Sequence, residues 1–121
     1  MRDFKDLLIW QKSVEVFKMV VSDVENFPKH RVAYNISDQF LRSVGSMSAN
    51  IAEGYGRGSE KELQRFCIIA RGSLDESRDW IYKIAILGYI NKKRVQEYDE
   101  KFIEIRKMIN AFISQVRKRI K

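Results

Sequence analysis

Residues 46–59 read SMSANIAEGYGRGS, and this stretch decides how the middle of the chain folds. Small and polar residues lead into three alternate glycines, which interrupt a helix. A new helix begins at Ser59, because a serine followed three residues later by Glu62 forms a capping box. In that motif Ser59 accepts the backbone N–H of Glu62, and the Glu62 carboxylate accepts the N–H of Ser59. The stretch therefore predicts a helical hairpin whose first helix ends at Gly54.

The segment before this hairpin predicts two helices. The first carries an apolar stripe with alternating steps of three and four residues: Leu7, Trp10, Val14, Phe17, Val21 and Val24. It is predicted to continue to about Phe27 and to end before Pro28. Three more apolar residues beside the stripe widen it and indicate an oligomer: Ile9, Val16 and Val20. The second helix is predicted to begin with a capping box at Asn35 and Asp38. Its apolar stripe is Ile36, Phe40, Val44, Met47 and Ile51.

Two further helices follow the hairpin. The third has its stripe at Leu63, Phe66, Ala70, Leu74, Ser77, Ile81, Ile84 and Leu87 and is predicted to end at Gly88. Its interior Gly72 suggests a close contact with another helix. Asn91 caps a fourth helix, whose heptad pattern is Val95, Tyr98, Phe102, Ile105, Ile109, Phe112 and Val116. The sequence therefore predicts an all-α fold, an antiparallel up-down-up-down four-helix bundle, with residues 1–121 as one domain.

The charge of the chain is concentrated near its C-terminal end. The 121 residues carry a net charge of +7, and residues 92–121 account for +6 of it. Such a surface favours polyanionic partners. Cys67 and His30 are the single cysteine and histidine, so neither a disulfide framework nor a Cys/His metal site is predicted. Without a long apolar segment, the chain is expected to be cytoplasmic and not bound to a membrane.

Seven cations of the fourth helix and its end are the candidate nucleic-acid-binding residues: Lys101, Arg106, Lys107, Arg117, Lys118, Arg119 and Lys121. Clustered cations neutralise phosphates and release counterions. The alternative is that a lysine-rich C-terminus is simply solvated. In the hairpin, Asn50, Glu53 and Arg57 are predicted to form a structural polar network rather than to contact a ligand.

No set of residues predicts catalysis. The glycines at the hairpin follow a helix rather than a strand, so they do not match a dinucleotide or P-loop motif. Cys67 lies at core spacing, and Asp75, Glu76 and Asp79 alternate with arginines, as on a solvated helix face. The chain is therefore expected to be neither an enzyme nor a cofactor-binding protein.

Motifs along nearly the whole chain resemble those of the four-helix-bundle proteins encoded in intervening sequences of 23S ribosomal RNA genes, a family related to the accessory proteins of diversity-generating retroelements. They are strongest at Asn50-Ile51-Ala52-Glu53-Gly54, at Gly56-Arg57 with Ser59, at residues 69–74 and at Leu87-Gly88-Tyr89-Ile90. The resemblance implies a basic ring, a homopentamer. In the retroelement branch it implies binding to nucleic acid and to a reverse transcriptase.

Two functions remain open from the sequence. The first is a non-enzymatic, oligomeric basic bundle that binds RNA or DNA through backbone phosphates. The second is a protein-interaction module, such as a ring that docks a reverse transcriptase, whose charge only steers association.

Overall fold

The hairpin predicted around residues 46–59 joins the two central helices of the computed structural model, which describes residues 3–121. A short 3-10 turn at Phe4–Asp6 precedes four α-helices: α1 (Leu8–Val24), α2 (Arg31–Gly56), α3 (Glu60–Ile86) and α4 (Lys92–Arg119). Each helix packs against the next, and α1 packs against α4 to close the bundle. The fold is therefore the predicted all-α antiparallel four-helix bundle. None of the helices in residues 3–121 is long and apolar enough to cross a membrane.

The two strongest predicted start signals are confirmed. Ser59 accepts the backbone N–H of Glu62 at 3.1 Å, and Asn91 accepts that of Arg94 at 2.8 Å. The other half of the predicted capping box, a hydrogen bond from the Ser59 N–H to the Glu62 carboxylate, was wrong. The Glu62 carboxylate instead accepts a hydrogen bond from Arg65 at 2.7 Å. That bond to Arg65 lowers the pKa of Glu62.

Two other predicted helix boundaries were wrong, the start of α2 and the end of α1. The cap of α2 is His30, whose Nδ1 accepts the N–H of Ala33 at 3.3 Å, while Asn35 and Asp38 are exposed inside the helix. Helix α1 ends at Val24 rather than near Phe27. The chain turns after Val24 and carries Phe27 into the core, where it is 3% exposed and lies against Tyr89.

The apolar stripes of α2, α3 and α4 pack in the core largely as predicted. Helix α1 is the exception: its buried residues are Ile9, Ser13, Val16 and Val20. The residues of its predicted stripe from Trp10 to Val24 are instead only partly buried, and Val21 is 41% exposed. Within this stripe the ring of Phe17 lies beside α2, where an added Cβ on Gly45 would be 3.4 Å from it. The core face of α1 is thus formed by Ile9, Val16 and Val20, which the sequence pattern placed beside the main stripe.

Gly54 is not the glycine that ends α2. The helix continues to Gly56, and Gly58, with φ of +77°, supplies the left-handed conformation at the turn. Gly54 is buried, and a Cβ there would lie 2.6 Å from the Cβ of Phe66 on α3. The missing side chain therefore lets α2 and α3 approach closely at the hairpin.

Gly72, by contrast, has no close contact. It is exposed on α3, and an added Cβ would meet nothing within 4 Å among the described residues. The expected helix contact at this glycine was wrong.

These two glycines give opposite predictions for the same substitution. Gly54→Ala should lower the free energy of unfolding by about 1–3 kcal/mol, because Phe66 is attached directly to the α3 backbone and the helices must separate. Urea unfolding followed by circular dichroism measures the change. Stability equal to or above that of the unmodified protein would contradict the close approach of α2 and α3.

Gly72→Ala should raise the free energy of unfolding by about 1 kcal/mol, because alanine favours the helix and the site has room for the methyl group. The same urea titration measures this gain. A loss of stability would show that Gly72 has a packing role absent from this structure.

Candidate nucleic-acid interface

The cations predicted from the end of α4 lie together at one end of the bundle. Arg117, Lys118 and Arg119 form the last turn of α4, and Lys121 follows the end of the helix. All four residues are exposed. Cations in a last helical turn also interact favourably with the helix dipole, so part of this pattern stabilises α4 itself.

The four cations differ in what holds them. With its amide oriented to accept, Gln64 on α3 receives two hydrogen bonds from Arg117, at 3.0 and 3.1 Å. Arg119 lies 3.6 Å from the carboxylate of Glu60, at the start of α3. Lys118 and Lys121 form no hydrogen bond or ion pair with any residue of the described chain. The α3 contacts thus position the two arginines, whereas the two lysines are unpaired within residues 3–121.

The other three predicted cations do not extend this cluster along one face. Arg106 forms a bidentate pair with Asp75 on α3 at 3.0 and 3.2 Å, and this hydrogen bonding raises the pKa of Arg106. Lys107 borders the α3–α4 groove, whereas Lys101 borders the α1–α4 groove. Six residues apart on a helix, the two lysines point about 120° away from each other.

The Arg106 pair belongs to a series of polar contacts that join α3 to α4. Arg71 donates to Asn110 at 2.8 Å, and Asp99 accepts hydrogen bonds from Arg78 at 3.1 Å and Tyr82 at 2.8 Å. Asp75 was expected on a solvated face beside arginines of its own helix; it is exposed as expected, but its partner is Arg106 on α4. Asp75 and Asp99 thus link two helices, so these side chains set the position of α4 against α3.

The hairpin residues form a smaller set of contacts than predicted. Arg57 and Glu53 make an exposed ion pair at 2.8 Å. Asn50 donates to the Ser46 carbonyl at 2.7 Å and forms no bond to that pair within residues 3–121. Arg57 also lies over the ring of Phe66, 5.1 Å from its centroid. Here the arginine covers the aromatic side chain that packs on Gly54.

Three further residues at this end were not among the predicted site residues. Lys61 borders a depression of about 320 Å³ together with Arg119 and Lys121. Tyr55 and Phe112 border a neighbouring depression of about 350 Å³. In an antiparallel bundle the start of α3 lies beside the end of α4, and this is the signal that places Lys61 near Arg119.

The described residues outside this end give little support for nucleophilic catalysis or metal binding. Burial raises the pKa of the Cys67 thiol to about 11, so the group stays protonated at neutral pH. No cluster of three metal-ligating side chains occurs in residues 3–121. At the opposite end of the bundle, Asp23 accepts hydrogen bonds from Arg94 at 2.8 Å and from Tyr98 at 2.6 Å. That network joins α1 to α4. Burial of the Tyr98 hydroxyl, together with its hydrogen bond to Asp23, raises the pKa of Tyr98.

Comparison with known proteins places the chain in a family. A similar solved structure is that of a protein of unknown function from the S23 ribosomal protein family of Bacteroides thetaiotaomicron, with a TM-score of 0.81 and 23% identity. The match covers 88% of this chain and 96% of that one, and it supports the fold. A search of curated proteins gives no match. The sequence model for the 23S rRNA-intervening sequence protein matches residues 5–111. The chain therefore belongs to the 23S rRNA-intervening sequence protein family.

Proposed function

We propose that this protein is a non-enzymatic, oligomeric, basic four-helix bundle that binds RNA or DNA through backbone phosphates. The observation that carries the proposal is the cluster of four exposed cations at the end of α4, in which Lys118 and Lys121 have no partner among residues 3–121. Phosphate contacts of this kind supply affinity with little sequence preference. A cytoplasmic location is part of the same proposal.

The contacts of the acidic and nucleophilic side chains support the non-enzymatic part of the proposal. Asp23, Asp75 and Asp99 are engaged in contacts between helices, and Cys67 is buried as a thiol. General acid–base or nucleophilic catalysis needs such groups in reach of a substrate. These four are occupied in holding the bundle together.

The partly exposed apolar residues of α1 support the proposed self-association. Trp10, Val14 and Phe17 are half-buried and Val21 is exposed, so an apolar strip remains on α1 beside Gly45 of α2. Exposed apolar strips on a soluble domain are typical of interaction surfaces. We propose that copies of the chain cover this strip in a ring, the homopentamer that the family resemblance implies. Each added copy brings another basic end.

The same apolar strip also favours the second candidate function, a protein-interaction module. In that case the strip or the ring docks a partner protein, for example a reverse transcriptase, and the positive charge only speeds association. The two candidates differ in whether the isolated protein binds nucleic acid at physiological salt.

A triple substitution tests the phosphate-binding role. Arg117→Gln, Lys118→Gln and Arg119→Gln together should weaken RNA and DNA binding and reduce the steepness of log K against log salt by about 2 for a single strand and about 3 for duplex DNA, as expected for three lost phosphate contacts. Fluorescence anisotropy with labelled RNA and duplex DNA, measured from about 50 to 200 mM salt, gives both quantities.

The matched control removes three exposed cations at the opposite end of the bundle: Arg31→Gln, Lys92→Gln and Lys93→Gln. Because the loss of net charge is the same, only a local role of the α4 end predicts a difference between the variants. Equal affinities for the two variants would sink the assignment, provided that circular dichroism shows both to be folded.

A single substitution on α1 tests self-association. Val21→Glu places a charge in the exposed apolar strip and should lower the light-scattering mass from a multiple of 14.3 kDa toward the monomer. Ser22→Glu is the control, because Ser22 is exposed on the same helix about 100° away from Val21. An unmodified protein of 14.3 kDa, or an unchanged mass for Val21→Glu, would contradict the proposed interface.

A further inference from the structure

Two depressions adjoin each other at the basic end of the bundle. The first, of about 350 Å³, has an apolar wall formed by Leu7, Tyr55, Leu63 and Phe112. The second, of about 320 Å³, has a basic wall formed by Lys61, Arg119 and Lys121. They share Ser59, Glu60 and Arg119, so an aromatic surface and a cationic surface meet at one boundary. Sites for small ligands typically start at about 300 Å³.

This pairing of surfaces matches the chemistry of a nucleotide whose base is unpaired. A free base has a π-face that stacks on aromatic side chains, while its phosphate needs cations a short distance away. In a duplex the bases are stacked on one another, and only the phosphates are presented to a protein that approaches the backbone. Cations alone would serve a duplex equally well, so the aromatic wall is the discriminating feature.

We propose that this end of the bundle binds unpaired nucleotides, with a base against Tyr55 and Phe112 and the adjoining phosphate at Lys61, Arg119 and Lys121. This site rests on the proposed nucleic-acid function and deepens it, because it selects single-stranded over duplex ligands. It also adds Tyr55, Phe112 and Lys61 to the binding surface.

One acid lies at the boundary of the two depressions. Glu60 is the single acidic residue among those that line them, and its carboxylate is 3.6 Å from the Arg119 guanidinium. Its Oε2 atom is buried and accepts no hydrogen bond within residues 3–121. In this site Glu60 orients Arg119 and competes with phosphate for it. Glu60→Gln should therefore tighten binding, whereas Glu97→Gln, at the opposite end beside Arg94, should leave it unchanged.

The test compares a short fluorescein-labelled RNA without self-complementarity, the DNA of the same sequence, and the duplex of each with its complement, all at near-physiological salt. Single strands should bind more tightly than duplexes. Tyr55→Leu keeps apolar contact with the core but removes the stacking surface, and it should weaken single-strand binding by at least about fivefold with little effect on duplexes. Tyr34→Leu is the control, because Tyr34 is 52% exposed near the start of α2, at the far end of the bundle.

Lys61→Gln provides a second variant that leaves the core untouched, since Lys61 is exposed and has no ion pair in the described chain. It should weaken binding and reduce the salt slope by about 1.

The outcomes separate this site from the broader function. Equal binding of single strands and duplexes, or an unchanged affinity in Tyr55→Leu, overturns the unpaired-nucleotide site. If the α4 triple variant still loses binding, the phosphate-binding function survives that result. No binding of any of the probes overturns both.

Discussion

The close approach of α2 and α3 at Gly54 is the contact on which the basic end depends. Because Gly54 has no side chain, Phe66 lies against the α2 backbone, and the hairpin closes over only a few residues. Farther along the same interface the hydroxyl oxygens of Ser43 and Ser77 lie 2.9 Å apart. Small side chains at both places hold the two helices together along their length. The start of α3 is thereby fixed next to the end of α4.

Polar contacts then set the position of α4 within the bundle. Asp75 and Asp99 bind it to α3, and Asp23 binds it to α1. These pairs are partly exposed, so each contributes modestly to stability, and their main effect is to define the register of the helices. They also neutralise Arg78, Arg94 and Arg106. Among the described residues, unpaired cations remain at both ends of the bundle: Lys61, Lys118 and Lys121 at the end where α4 finishes, and Arg31, Lys92 and Lys93 at the opposite end.

The sequence predicts best those features whose causes are local. Ser59 and Asn91 act as caps through bonds to residues three positions away, and the stripes of α2, α3 and α4 follow from helical periodicity alone. The wrong face on α1 has a tertiary cause, because both of its faces are apolar and packing selects the one with Ile9 and Val16. His30 was missed as a cap since serine, threonine, aspartate and asparagine are the usual residues there.

The residues of the candidate site were likewise predicted only where they lie close together in the sequence. The count of cations identified Arg117, Lys118, Arg119 and Lys121, which are close in sequence. The ion pair of Arg106 could not be predicted from the sequence pattern, because its partner Asp75 lies on another helix. Lys61 and Tyr55 come from other helices, so only packing brings them to the site.

The salt dependence of RNA binding by the unmodified protein tests the central claim most directly. Contact with several backbone phosphates predicts that log K falls linearly with log salt concentration, with a slope of about −0.7 per phosphate for a single strand. A slope steeper than about −2 is the expected result, since at least three cations are clustered at the α4 end. A slope near zero, or no binding at low salt, would contradict the account.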